Sequence, residues 1–322
     1  MKKILKFIVL PFAVTIVGLL MYLNIVFPKV DHAQNIKIEY SQERIKRGEY
    51  LSNAVAVCMD CHSTRDWSKY SGPLVEGTLG KGGERFAQEF GFPGEYYSKN
   101  ITPYGIGEWT DGELLRAITS GVSKDGSSLF PVMPHHVYGK CDKEDIYDII
   151  AYIRSLKSIR NDVKKSKSDF PMNLIIKTIP SNPQFSKKPS IQNKIEYGKY
   201  LFTLASCNEC HTKQEKGKPI VGMELAGGFE FPLPVGVLTR SANITPDKET
   251  GIGNFTEEMF VNKFKYYGDS SYKDVQVTTG AFNTVMPWKM YGKMKESDLK
   301  AIFAYLQTVK PIRNSVVKFE KR

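Results

Sequence analysis

The chain opens on its least polar stretch. From Phe7 to Phe27 no residue is charged, and Lys2, Lys3 and Lys6 stand ahead of the run. That is close to the roughly 20 residues a helix needs to cross a bilayer. The pattern predicts an N-terminal membrane helix over residues 1–30, with the lysine-bearing end in the cytoplasm and the rest of the chain outside it. A cleaved secretory signal is the competing reading. Its apolar core would be shorter, about 7 to 15 residues, and would end at small residues, whereas this run ends in Phe27, Pro28 and Lys29.

Farther along, the pattern takes on a helical period. Ile146, Ile149, Ile150 and Ile153 fall at the i, i+3, i+4, i+7 spacing of a buried stripe, and Leu299, Ile302, Phe303 and Leu306 repeat it. Each stripe predicts an amphipathic helix packed back on the body. Helices are also predicted across "QERIKRGEYLSNAVAV" and "QNKIEYGKYLFTLAS", from Thr110, which is spaced from Glu113 as a capping box, and from Thr256. Between them, residues 63–108 and 212–254 are rich in Gly and Pro and show little periodicity. Loops this long are uncommon inside a compact domain, and they make sense where a large apolar group supplies the core they wrap.

The same text is written twice. "GEYL" at 48–51 returns as "GKYL" at 198–201, "CMDCH" at 58–62 as "CNECH" at 207–211, and "NITP" at 100–103 returns at 243–246. "GIGEWT" at 105–110 returns as "GIGNFT" at 251–256, "VMP" at 132–134 at 285–287, "YGK" at 138–140 at 291–293, and "YIRSLKSIRN" at 152–161 as "YLQTVKPIRN" at 305–314. Two homologous domains in tandem, 42–160 and 195–322, are the economical reading. Residues 161–194, with lysine clusters, prolines and the short apolar piece "MNLII", are expected to form a linker partly strapped to a domain surface.

A formal charge of +11 changes this picture little. The basic residues are scattered, with no stripe of them interleaved with aromatics, so no nucleic-acid partner is expected. The excess suits a solvated basic face that steers an acidic redox partner or an anionic membrane surface.

The cysteines carry the chemistry. Cys58, Cys61, Cys207 and Cys210 form two C-x-x-C pairs, each followed by a histidine, His62 and His211. A zinc site would need further ligands. His135 and His136 could complete the first copy, but the second has no histidine besides His211. A dithiol redox pair would not explain the histidine behind both pairs. The third reading is covalent c-type haem attachment, whose signature is C-x-x-C-H. Each cysteine then adds across a haem vinyl group, and His62 and His211 bind the two irons from the proximal side. With each motif at the end of its helix, the three side chains would share one face.

Met133 and Met286 hold matching places in the two copies, each followed by proline, and are the candidate distal ligands. A soft thioether favours ferrous iron and raises the potential. The commoner role of a methionine is to fill a core, but the matched position favours ligation. Local competitors are His135 and His136 in the first copy and Met290 and Met294 in the second. Cys141, unpaired, reads as a small residue ahead of the helix beginning near Asp142.

With these motifs in place, the chain resembles membrane-anchored class I c-type cytochromes, similar to the multihaem cytochrome subunits of bacterial alcohol, gluconate and related periplasmic dehydrogenases. "CMDCH", "CNECH", the doubled "NITP", and "LFPVMPHHVYGK" with "FNTVMPWKMYGK" carry the likeness from about residue 42 on. It implies an all-α fold of two class I cytochrome c domains wrapped around two covalent haem c groups. It places linkage on Cys58, Cys61, Cys207 and Cys210 and axial ligation on His62, Met133, His211 and Met286, and sets the "NITP" loops at the haem edge. Those subunits commonly carry three haem domains, whereas this sequence holds two copies.

The expected function is outer-sphere electron transfer on the periplasmic side of the cytoplasmic membrane. The donor would be a dehydrogenase or quinol-linked complex and the acceptor an oxidase or soluble carrier. The alternative is a dihaem peroxidase with one open haem, in which one copy should lack a dependable distal ligand.

Overall fold

Helix Lys2–Val26 contains the stretch Val9–Val26, whose mean hydropathy is 2.2 and none of which is buried. It is long and apolar enough to cross a membrane. The computed structural model describes residues 2–215 and 217–321, with side chains from residue 9 of this helix onward. The side chains of Lys2, Lys3 and Lys6 therefore lie outside the described residues.

Beyond residue 41 the same elements come twice. An entry helix, Gln42–Tyr50 or Lys194–Leu204, leads to a short helical turn holding the cysteine motif, Cys58–His62 or Cys207–His211. After a long loop come a middle helix, Asp111–Ser120 or Glu257–Gly268, and a closing helix, Lys143–Ser155 or Glu296–Leu306. The Thr110 hydroxyl accepts from the Glu113 amide and the Glu113 carboxylate accepts from the Thr110 amide, completing the capping box. Thr256 caps the second middle helix through the Met259 amide. Both apolar stripes are buried, with Ile146 and Ile150 in one and Leu299 and Leu306 in the other nearly inaccessible.

In each half the entry and closing helices cross at a glycine. A Cβ on Gly48 would sit 1.8 Å from the carbonyl oxygen of Asp148, and one on Gly198 would sit 1.9 Å from that of Ala301. These are the glycines of "GEYL" and "GKYL". The tyrosines two positions on bind the halves together reciprocally. Tyr50 donates to Asp298 at 2.5 Å and accepts from the Lys295 amide at 3.1 Å, while Tyr200 donates to Asp145 at 2.7 Å and accepts from the Asp142 amide at 3.2 Å. Each tyrosine thus caps the start of the other half's closing helix.

The motifs do not extend the entry helices as the sequence reading has it. The chain first passes through a left-handed residue, Val57 at φ 46° or Ser206 at φ 54°, and the five motif residues form a separate turn. A β-branched residue in that region is strained, and such strain persists where its surroundings over-determine it. The first half also carries one more residue between its helix glycine and its first motif cysteine, and it absorbs it as a π-helical turn, Leu51–Val55.

The helical core agrees with the expected fold class, but all-α is too strong. Arg85–Phe86 pairs antiparallel with Gly94–Tyr97, and Glu230–Leu233 pairs with Val237–Arg240 across a short turn. A third strand joins each pair, Lys167–Ser168 in one and Phe319–Lys321 in the other, and a small hairpin joins Gln214–Glu215 to Lys218–Pro219. Long loops have backbone groups to satisfy, and these ladders pair some of them. Residues 161–194 run along the first half. Besides supplying a strand, they place the Gln184 amide on the Gly139 carbonyl and Lys188 on Asp142 and Asp145.

Candidate cofactor site

The side chains of Cys58, Cys61, His62, Met133, Cys207, Cys210, His211 and Met286 all line one cavity of 3330 Å³. Pockets for small molecules usually span about 300–1,000 Å³, so this space is too large for a single metabolite. Aromatic and aliphatic side chains of both halves form much of the wall, among them Trp109, Ile153, Phe264 and Trp288.

Each histidine is aimed by a carbonyl. His62 Nδ1 lies 2.7 Å from the Lys99 carbonyl oxygen and His211 Nδ1 lies 2.8 Å from that of Ala242. A carbonyl only accepts, so Nδ1 carries the proton and Nε2 keeps a free lone pair, the tautomer a metal-binding imidazole requires. Burial pushes both imidazoles below the usual histidine range, partly offset by the same carbonyls.

Lys99 and Ala242 are the residues directly before the two "NITP" repeats, which explains those repeats. Asn100 donates to the Ile159 carbonyl and Asn243 to the Ile312 carbonyl, tying each loop to the segment after its closing helix. Thr102 and Thr245 donate back to those asparagines and accept from the amides of Ile159 and Ile312. Gly82 and Gly227 complete the support, their amides donating to the carbonyls of His62 and His211 at 2.8 Å each. The sequence reading missed these roles. A backbone carbonyl has no residue-type signature, and only the doubled "NITP" and "IRN" pointed to them.

The carbonyls of Met133 and Met286 each accept from the amide two residues on, at 2.7 and 2.8 Å. Tyr138 and Tyr291, five positions after each methionine, reach the carbonyls of Ala56 and Ala205 just ahead of the motifs. The competing histidines are placed differently. His135 is fully buried with neither ring nitrogen hydrogen-bonded, lies off the cavity wall and packs on Gly121. His136 is on the wall, but its Nε2 faces Glu209 at 3.3 Å. Met290 is buried off the wall, and Met294 is buried on it. Cys141 is buried just before Asp142, whose side chain caps the closing helix.

Burial pushes the Cys58 thiol up to about 11 and shifts Cys61 and Cys207 the same way, whereas reactive cysteines have lowered values. Among the described residues no three His, Cys, Asp or Glu side chains converge on a metal-sized point. At matched positions each half presents two thiols, one imidazole with a free nitrogen and one thioether, with His136, Met172 and Met294 also on the wall of a largely apolar space.

Residues 195–310 match the family model for cytochrome c. The second half of the chain is a cytochrome c domain. Cytochrome c domains carry covalently bound haem c and transfer electrons, and the donor set and cavity of this half fit that group. Over most of its length the chain is also similar to curated cytochromes. It is 27% identical over 286 residues to the cytochrome c subunit of a quinone alcohol dehydrogenase from Gluconacetobacter polyoxogenes, covering 83% of this chain and 56% of that protein. To the gluconate 2-dehydrogenase cytochrome c subunit of Pantoea cypripedii it is 27% identical over 281 residues, 82% and 59% of the two chains. A dihaem cytochrome c-type protein of Cereibacter sphaeroides is 28% identical over 266 residues, 79% of this chain and 82% of that one. The chain thus spans little more than half the length of the dehydrogenase cytochrome subunits.

Proposed function

We propose that this chain is a dihaem c-type cytochrome, an electron carrier held to the cytoplasmic membrane by its N-terminal helix with both cytochrome c domains, 42–160 and 195–322, on the periplasmic side. The observation that carries the reading is the duplicated donor set on one cavity: in each half, two motif thiols, an imidazole whose Nδ1 is held by a loop carbonyl, and a methionine at the matched position. Cys58 and Cys61 would link one haem, and Cys207 and Cys210 the other. His62 and His211 would be proximal ligands through Nε2, and Met133 and Met286 distal ligands. Haem c supplies reversible one-electron chemistry at its iron. The chain contributes a fixed imidazole tautomer, a thioether that favours the ferrous state, and apolar walls that exclude water. Resemblance to dehydrogenase cytochrome subunits supports a dehydrogenase as electron donor, with a quinol-linked complex as the other source and an oxidase or soluble carrier as acceptor.

The test is the visible spectrum of the purified, dithionite-reduced full chain before and after carbon monoxide, with haem counted per chain. Two haems and a c-type spectrum that carbon monoxide leaves unchanged are expected. Prompt binding at one haem would replace this reading with the peroxidase class, and one haem per chain would remove the first site.

A further inference from the structure

A segment of the first half forms the outer support of the second half's methionine. After the first motif, residues 65–72 form a loop that reaches across to the second half. The Tyr70 amide donates to the Val275 carbonyl at 2.8 Å and the Val277 amide to the Ser68 carbonyl at 2.7 Å. At the end of this bridge Ser71, buried and left-handed at φ 65°, donates through Oγ to the Met286 carbonyl at 2.5 Å and accepts from the Trp288 amide at 3.2 Å. Its own amide donates to Asn283 Oδ1 at 2.8 Å, and the fully buried Asn283 side chain donates back to the carbonyls of Trp67 and Lys69. Arg65, paired with Asp60 of the first motif at 2.9 Å, reaches the Val285 carbonyl at 3.4 Å.

The arrangement has no counterpart on the other side. Among the described residues, no hydrogen bond from the second half reaches 130–135; the second half approaches this segment through Glu209, 3.3 Å from His136 Nε2. Non-glycine residues are uncommon in the left-handed region, and such strain is kept where the surroundings impose it. Here the surroundings are the ligand segment itself.

We propose that Ser71 is a positioning residue for Met286, so that the first half helps to set the distal ligation of the second haem. This rests on Met286 being that ligand. The hydroxyl clamps the carbonyl of residue 286 and the amide of residue 288 together, which fixes the backbone from which the thioether projects. The Trp288 amide still donates to the Met286 carbonyl at 2.8 Å without it, but the segment loses this tie to the first half and the thioether is held less firmly.

The test uses the full, haem-loaded chain. Ser71→Gly removes the hydroxyl, keeps the amide bond to Asn283 and suits the left-handed backbone, so folding is preserved; Ser71→Ala repeats the deletion with a side chain present. Both are made in wild-type and Met133→His backgrounds. The readouts are the near-infrared sulfur-to-iron charge-transfer band of the ferric protein, the two reduction potentials and carbon monoxide uptake after reduction. In the Met133→His background the remaining sulfur band is expected to be lost in both serine variants. In the wild-type background one potential falls and one haem per chain binds carbon monoxide. An unchanged band and unchanged potentials in both variants would overturn the clamp. If Met133→His alone already lacks a sulfur band, Met286 is not a ligand and the underlying assignment fails instead.

Discussion

Gly82 and Gly227 sit where a side chain has no room. Both have positive φ, and a Cβ would lie 2.4 Å from the Lys99 carbonyl carbon or 2.5 Å from that of Ala242, against the carbonyls that aim the two histidines. Alanine at either position combines left-handed strain with a backbone clash, costs of about 1–3 kcal/mol each. Gly227→Ala is therefore expected to lower both the urea midpoint and the haem retained per chain, whereas an exposed substitution such as Lys310→Ala lowers neither. At this scale the sequence was most legible where chemistry needs a particular side chain: cysteine, histidine and methionine announce themselves by type and spacing. The carbonyls of Lys99 and Ala242 do not, because any residue presents one, and Ser71 stands outside every repeated motif.

Between elements, the crossing of entry and closing helices is set by Gly48 and Gly198, which bring each entry helix against a backbone carbonyl. Gly48→Ala must push the helices apart, and overpacking of this kind costs about 1–3 kcal/mol. Removing the Thr110 cap by alanine costs about 1 kcal/mol, so in thermal melts of the two variants the glycine substitution should give the larger drop. The helices themselves were readable, since a period of 3.6 and a capping box are local properties of the chain. The left-handed hinges at Val57 and Ser206 were not, because neither residue type favours that conformation and the surrounding fold imposes it. The small ladders escaped notice for a similar reason: their third strands come from residues 167–168 and 319–321, far along the sequence.

At the scale of the molecule, the two halves hold each other through Tyr50 and Tyr200. Losing one of these hydroxyls leaves a buried carboxylate short of a donor, a cost of about 1–3 kcal/mol. Tyr50→Phe should cost more than Tyr200→Phe in urea unfolding, because Asp145 keeps Lys188 at 2.7 Å and Arg47 at 3.4 Å when Tyr200 is gone. Burial works against the Asp145 carboxylate, but Arg47, Lys188 and Tyr200 together hold its pKa below the ordinary aspartate value. Below about pH 4, the unfolded value, the unfolded chain thus binds more protons at this site than the folded one. Its contribution is complete above that pH and is lost as pH falls through the folded value. Stability measured from pH 6 down to pH 2 should fall less steeply in Asp145→Asn, from a lower starting point. The π-helical turn at Leu51–Val55 bears on how such a pair of halves can diverge. An extra residue carried through a regular α-helix rotates everything after it by about 100° and advances it by about 1.5 Å, enough to aim the first motif away from the space it shares with the second. Because the turn widens to take up that residue, His62 and His211 still meet equivalent carbonyls, and the duplicated sequence could change length upstream of its most constrained five residues without changing their bearing.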